Sequence, residues 1–301
     1  MPSDQTLRRP ASRLAVWLAI LALASGCALT RRDGRAEYVD HAKQMWRRGV
    51  AALESGRVGE AESLLRQAAE AAPDDPAAQR HLAEALWQSG RHDEAILRVE
   101  QACECAPHDI EATIRAGQMR LSRGDADAAR RWANRALDLD ARCPDAWALR
   151  GRSLAHTKQP GRALADLQHA LRYAPGDARL LEDLARLHGE RGDQRRRLTT
   201  LHQLLDAYPP GQEPARVLAD AGETYLALGR PRDAADALRV AAAREPSNAE
   251  LLYRLAEAQA ASGETRLAIV DARRALDVDA AHEPSRRLLA RLESAPSAQL
   301  R

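Results

Sequence analysis

The chain has 301 residues with a formal net charge of +2, 45% hydrophobic residues, 3% aromatics and no Phe. Ala and Leu dominate, which excludes an aromatic and β-branched sandwich core and favours helices packed across thin layers of small side chains. Of the 45 basic residues 43 are Arg; setting aside the three Arg and one Asp of the first 26 residues leaves 42 basic against 42 acidic, a balance that excludes a phosphate-tracking nucleic-acid surface.

At the N-terminus Arg8, Arg9 and Arg13 precede the apolar run Leu14 to Leu23. The run is too short for the roughly 20 residues of a membrane-spanning helix and has the proportions of a signal peptide. It ends in Leu23-Ala24-Ser25-Gly26-Cys27, which resembles the bacterial lipobox, although Leu stands one place upstream of its usual position. The resemblance implies a signal peptide over 1–26, cleavage before Cys27 and acylation of the Cys27 sulfur. Two or more acyl chains make such an anchor durable, because one chain binds only marginally. Ala28 after the Cys points, by family analogy, to the outer membrane facing the periplasm. An ordinary cleaved signal with an incidental Cys and an uncleaved anchor are the alternatives. Residues 27–41 then hold the lipidated Cys and a short polar linker.

From Ala42 a skeleton of about 34 residues recurs, with starts at Ala42, Pro76, Ile110, Pro144, Ala178, Ala215 and Ala249. Position 15 is Gly56, Gly90, Gly124, Lys158, Gly192, Gly229 and Gly263, a residue type able to end a first helix in the left-handed conformation. Position 20 is Ala61, Ala95, Ala129, Ala163, Arg197, Ala234 and Ala268, and position 27 is Ala in all repeats but the fifth, which has Leu204; Ala lets facing backbones approach. Position 32 is Pro73, Pro107, Pro175, Pro209 and Pro246, with Ala141 and Ala280 as exceptions, and Pro cannot continue a helix. Asp75, Asp109, Asp177 and Asn248 stand where they can cap the next helix.

This pattern resembles the tetratricopeptide repeat family over about residues 42–282, with Trp147, Gly151 and Leu154 at its Trp, Gly and large apolar positions. The resemblance implies an all-α, αα-superhelical solenoid of about seven repeats: repeats one to five over 42–211, six and seven over 212–282. Residues 283–294 read as an amphipathic capping helix for the open end of the stack, and 295–301 as a disordered tail. Repeat five departs twice: Arg197 replaces the packing Ala, and three extra residues in Pro209–Pro214 precede repeat six. A bend is expected there, with the second helix shifted to free the guanidinium, whose burial without a partner costs several kcal/mol.

In each first helix positions 4, 7, 8 and 11 form the inward stripe, leaving positions 2, 5, 6, 9, 12 and 13 free. The family resemblance implies that this free face lines a concave groove where peptides or partner helices dock. It carries Trp46, Arg47, Arg80, Trp87, Arg115 and Arg152 in the first four repeats, and Glu182, Asp220, Glu223, Tyr253 and Glu257 in the last three. Large aromatics left on a surface are frequent binding anchors, so Trp46→Ala with Trp87→Ala is expected to weaken client binding while leaving helicity nearly intact. The competing readings are a solvated face of i,i+4 ion pairs and, for Trp46, packing against the segment around Tyr38.

No catalytic chemistry is legible. Cys103 and Cys105 fall at positions where sister repeats carry Leu and read as small buried hydrophobes, and Cys143 occupies a capping position. The nine His are scattered without an H-E-x-x-H spacing, and no phosphate loop, nucleophile elbow or dinucleotide fingerprint occurs. The expectation is a membrane-tethered scaffold of the bacterial envelope that binds other proteins. It takes no cofactor, no metal, no nucleic acid and no small-molecule substrate. A permanent structural subunit of an envelope export, pilus or polysaccharide-synthesis complex is the alternative.

Overall fold

The computed structural model describes residues 40–294, and every regular element among them is a helix. The signal segment, Cys27, Tyr38 and the tail 295–301 lie outside the described residues. The protein is an all-α solenoid of paired helices, roughly seven repeats with an additional C-terminal helix. It divides into two compact units between Arg120 and Leu121. The first holds α1 (residues 40–54), α2 (Val58–Ala71), α3 (Pro76–Gln88), α4 (His92–Cys105) and α5 (Ile110–Ser122), which ends just past the division. The second holds α6 (Ala126–Leu139), α7 (Pro144–His156), α8 (Pro160–Tyr173), α9 (Ala178–Glu190) and α10 (Gln194–Asp206), followed by α11 (Ala215–Ala227), α12 (Pro231–Arg244), α13 (Ala249–Ser262), α14 (Thr265–Val278) and α15 (Glu283–Ser294).

Helix boundaries follow the sequence punctuation. The six glycines at position 15 have φ between 70 and 89°. In repeats one, two, five, six and seven a bond from the residue after the turn closes the first helix, as in Arg57 N–H to the Ala52 carbonyl at 2.9 Å and Glu264 N–H to the Gln259 carbonyl at 2.8 Å. Repeat four makes the same turn with Lys158 at φ 56°, a conformation that costs an L-residue about 1–2 kcal/mol. Asp75, Asp109, Asp177 and Asn248 all accept bonds from the first backbone N–H groups of their helices. Asp125 and Asp193 add caps on the second helices α6 and α10 that the repeat pattern did not mark.

Packing inside each hairpin is set by small residues. Ala61, Ala95, Ala129, Ala163, Ala234 and Ala268 are all fully buried, which lets first and second helices approach until Leu side chains fill what remains. A Leu of the second helix lies directly over a Gly of the first at Gly49/Leu65, Gly151/Leu167 and Gly222/Leu238. The buried stripe is wider than expected. Positions 3 and 10 are buried in every first helix from α3 to α13, as Ala78 and Ala85 or Leu180 and Leu187 illustrate.

The second helix of repeat five, where the sequence pointed to a shift, keeps its apolar face packed. Leu198, Leu201 and Leu204 of α10 are buried, and the Arg197 stem lies across Gly189, with a guanidinium nitrogen 2.9 Å from Asp220 on α11. A cavity of about 490 Å³ lies between α9, α10 and α11, lined by Leu201, Leu204 and Val217 together with Asp183, Arg186 and Arg216. The guanidinium is thus paired and partly solvated, which removes the penalty that an isolated buried charge carries.

His188 of α9 is a buried imidazole whose Nδ1 has no hydrogen-bond partner among the described residues. Burial holds its pKa below the ordinary 6.5, Asp193 works in the opposite direction, and Arg196 and Arg191 reinforce the depression. Below pH 6.5 the unfolded chain therefore binds more protons than the folded one, so stability falls as pH drops through that window. Urea titrations are expected to show a loss of up to about 1.4 kcal/mol per pH unit below 6.5, flattened in His188→Leu. An identical pH slope in parent and variant excludes this imidazole as the cause.

Candidate functional site

The faces of the first helices outside positions 4, 7, 8 and 11 are where the sequence places its groove residues, and most of those residues are engaged by the neighbouring helix. In unit one, Arg80 of α3 pairs with Glu111 of α5, and Arg115 of α5 pairs with Glu84 of α3 at 2.7 Å. In unit two, Arg152 of α7 pairs with Asp183 of α9 at 2.6 Å, Arg216 of α11 with Glu182 of α9, and Arg254 of α13 with Glu223 of α11. A rule underlies the five pairs. Position 5 of one first helix meets position 2 of the next, position 9 meets position 6, and the charges are opposite. Spacings of 31 or 34 residues bring them together, so they are not the i,i+4 pairs of a solvated face.

Repeat five bends the rule. Asp220, at position 6, takes Arg197 of the second helix, and Arg186 at position 9 turns to Glu190 at 2.8 Å and Asp183 at 3.3 Å. At the C-terminal end Glu250 accepts from Arg254 at 2.7 Å and contacts His282 at 3.2 Å. Burial acts to raise the Glu250 carboxyl, but the bonds from these two residues outweigh it and hold its pKa below the usual carboxylate value. Such partly exposed pairs contribute about 0.2–1 kcal/mol each, so their main effect is to fix which helix neighbours which.

From α3 onward, therefore, positions 5 and 6 are engaged and not free, which departs from what the sequence pattern implied. Ile114, Ala148, Leu149 and Ala219 at these positions are buried. Trp46, at position 5 of α1, is half-buried against Met45, Leu64 and Ala68, and its indole nitrogen stands 3.3 Å from His81 Nδ1. That same Nδ1 is 2.8 Å from the Ala77 carbonyl, so the imidazole either donates to Ala77 or accepts from Trp46. Trp87 is half-buried against His92 at 4.3 Å, with the Arg115 guanidinium 5.8 Å from its ring. The Tyr253 hydroxyl donates to Glu257 at 3.3 Å. Burial raises the Tyr253 pKa, and the Glu257 charge adds to the rise. Arg47 is exposed and forms no ion pair among the described residues.

The arrangement binds helices to helices. No group of three His, Cys, Asp or Glu among the described residues is placed to hold a metal ion. Cys103 fills its core position as expected, whereas Cys105 is exposed, because its helix is in its last turn there. Five histidines lie against aromatic rings, at Trp46, Trp87, Trp147, Tyr225 and Tyr253, and no periodic signal marks them in the sequence. No helix among the described residues is long and apolar enough to cross a membrane.

The profile of the tetratricopeptide repeat family matches residues 47–110, 114–178 and 219–284. No curated protein sequence matches the chain. Among solved structures it is similar to PilW, described as a widely conserved type IV pilus biogenesis factor, with 18% identity and a TM-score of 0.62 over 68% of this chain and 94% of that one. PilF of Pseudomonas aeruginosa gives 17% identity and a TM-score of 0.60 over 75% of this chain and 99% of that one. A chain of the APC/C hetero-tetramer Cut9-Hcn1 gives 17% identity and a TM-score of 0.57 over 81% of this chain, which spans only 48% of that longer one.

Proposed function

From the premise that the chain belongs to the tetratricopeptide repeat family, we propose that it is a non-catalytic, constitutive subunit of a bacterial envelope assembly, held to the membrane through acylated Cys27. The observation that carries the subunit reading is the use of the charges. Arg80, Arg115, Arg152, Glu182, Asp220 and Glu223 are all spent between neighbouring helices, so a client exchanging in a concave groove would find few unpaired groups to bond. A permanent partner instead needs broad, shape-matched contact, which a rigid array of helices supplies. The signal-like segment before Cys27 and the likeness to PilW and PilF favour the envelope as the place.

The scaffold with exchanging clients is the second reading. It is favoured by the half-exposed aromatics Trp46 and Tyr253, beside Arg47 and Glu257, as anchors. Purification of the full chain in mild detergent separates the two. A partner retained at one fixed ratio through salt washes is the expected result, and partners that vary in amount and exchange on dilution support the scaffold. Cys27→Ser is expected to move the protein from the membrane fraction to the soluble fraction or to leave it at precursor size. Persistent acyl labelling of that variant excludes the anchor.

A further inference from the structure

Among the described residues, the first helix, α1, has a side that no other helix fills. Positions 3 and 10, buried in α3, α5, α7, α9, α11 and α13, are Gln44 and Ala51 in α1, and both are exposed. Positions 2 and 6, where Glu111, Arg115, Asp183, Arg216 and Arg254 receive an opposite charge from the preceding first helix, are Lys43 and Arg47 in α1. Both are exposed and without an ion pair among the described residues, as is Arg48 at position 7. Toward the following helices, the same two cations border a pocket of about 360 Å³ between α1, α2 and α3, walled by Trp46, Ala68, Asp75 and Ala77.

We propose that this side of α1 docks one helix of another protein, which adds to the array as a further first helix and sets two acidic side chains four residues apart against Lys43 and Arg47. The inference rests on the protein-binding reading above and names the kind of partner. The pairing rule supplies the argument. Of the four Arg at position 2 or 6 of a first helix that has another before it, Arg179 is unpaired among the described residues beside an α7 that carries Ala148 at position 5, whereas Arg216, Arg115 and Arg254 each meet an acid at position 5 or 9 of the preceding first helix. Those two positions are four residues apart, so one helical face presents both.

A second copy stacked head to tail does not meet the requirement. In α15 the residues at the corresponding positions are Arg287 and Arg291, which bring like charges onto Lys43 and Arg47. A lipid surface fits less well than an acidic helix, because the exposed large hydrophobic residues, such as Leu97, Val240 and Val270, lie on other elements and offer this edge no apolar insertion.

The test uses the full chain and two stapled helical peptides of equal length and apolar content, one with Glu at two positions four apart on its apolar flank, the other with Lys there. Anisotropy titrations are expected to show the Glu peptide bound at least about tenfold more tightly than the Lys peptide. The preference reverses in Lys43→Glu/Arg47→Glu and is unchanged in Arg179→Glu, which alters an exposed, unpaired Arg elsewhere. Circular dichroism of the double variant should match the parent, since neither side chain is packed. Equal affinity for both peptides, binding of neither, or a loss that Arg179→Glu reproduces overturns the proposal. So does binding to phosphatidylglycerol vesicles that the double variant abolishes while peptide preference stays flat. A chain that discriminates the peptides but purifies with no fixed partner keeps this edge and overturns only the subunit reading.

Discussion

Gly222→Val is expected to destabilise the C-terminal unit by about 3 kcal/mol, because a Cβ at this site meets Leu238 Cγ at 2.6 Å and both Leu238 methyl carbons at 3.1 Å. Leu238 is fully buried in a cluster with Ala234, Ala235, Leu252 and Leu255, so it has no rotamer to retreat into. Relief requires α11 and α12 to separate, which loses contacts along the whole hairpin. Gly59 of α2 is the control. No atom lies within 4 Å of its Cβ position, and Gly59→Ala is expected to stabilise by about 0.5–1 kcal/mol through helix propensity alone. Urea unfolding followed by circular dichroism reads both, and a parent-like midpoint for Gly222→Val rules out the close approach.

Trp147→Ala is expected to cost about 3 kcal/mol, the second largest effect. The indole nitrogen donates to the Ala141 carbonyl at 2.8 Å, tying α7 to the turn before it. The ring stacks on His169 of α8 at 4.6 Å with an interplanar angle of 16°, and the Arg150 guanidinium covers it at 4.5 Å. Truncation removes all three contacts and leaves the cluster around Leu164, Leu167 and Leu184 open on one side. Trp147→Phe keeps the stacking but not the hydrogen bond and should lose about 1 kcal/mol. If Phe and Ala variants unfold alike, the donor bond rather than the ring carries the effect.

Trp46 and Trp87 belong in the same comparison. Their positions in the repeat marked them as free, and truncation as harmless to helicity. Trp46 instead rests on Leu64 and Ala68, and Trp87 on His92, so each truncation is expected to cost about 1–2 kcal/mol of local stability before any binding is measured. A binding assay on these variants is informative only beside their unfolding curves.

The helix inventory, its caps and its turns were determined by the sequence alone, because each depends on contacts within a few residues. Gly at position 15 takes the left-handed conformation locally, Asp75 caps the helix that begins one residue later, and Pro73 stops the one that ended two residues before. The buried Ala at positions 20 and 27 were legible for a related reason, since repetition across seven units exposes a packing requirement that one unit would hide. The fate of the charged faces was decided only in the tertiary structure. Arg80 and Glu111, or Arg152 and Asp183, lie 31 residues apart, and only the stacking of successive first helices brings them within bonding distance. The same stacking buries Ala148 against Leu180 and Leu184, a position that a single helix viewed by itself leaves open. Arg197 shows the limit most clearly: the sequence marked a charge at a packing site, but its resting place over Gly189 and against Asp220 depends on three helices meeting, and no local pattern encodes a meeting of three.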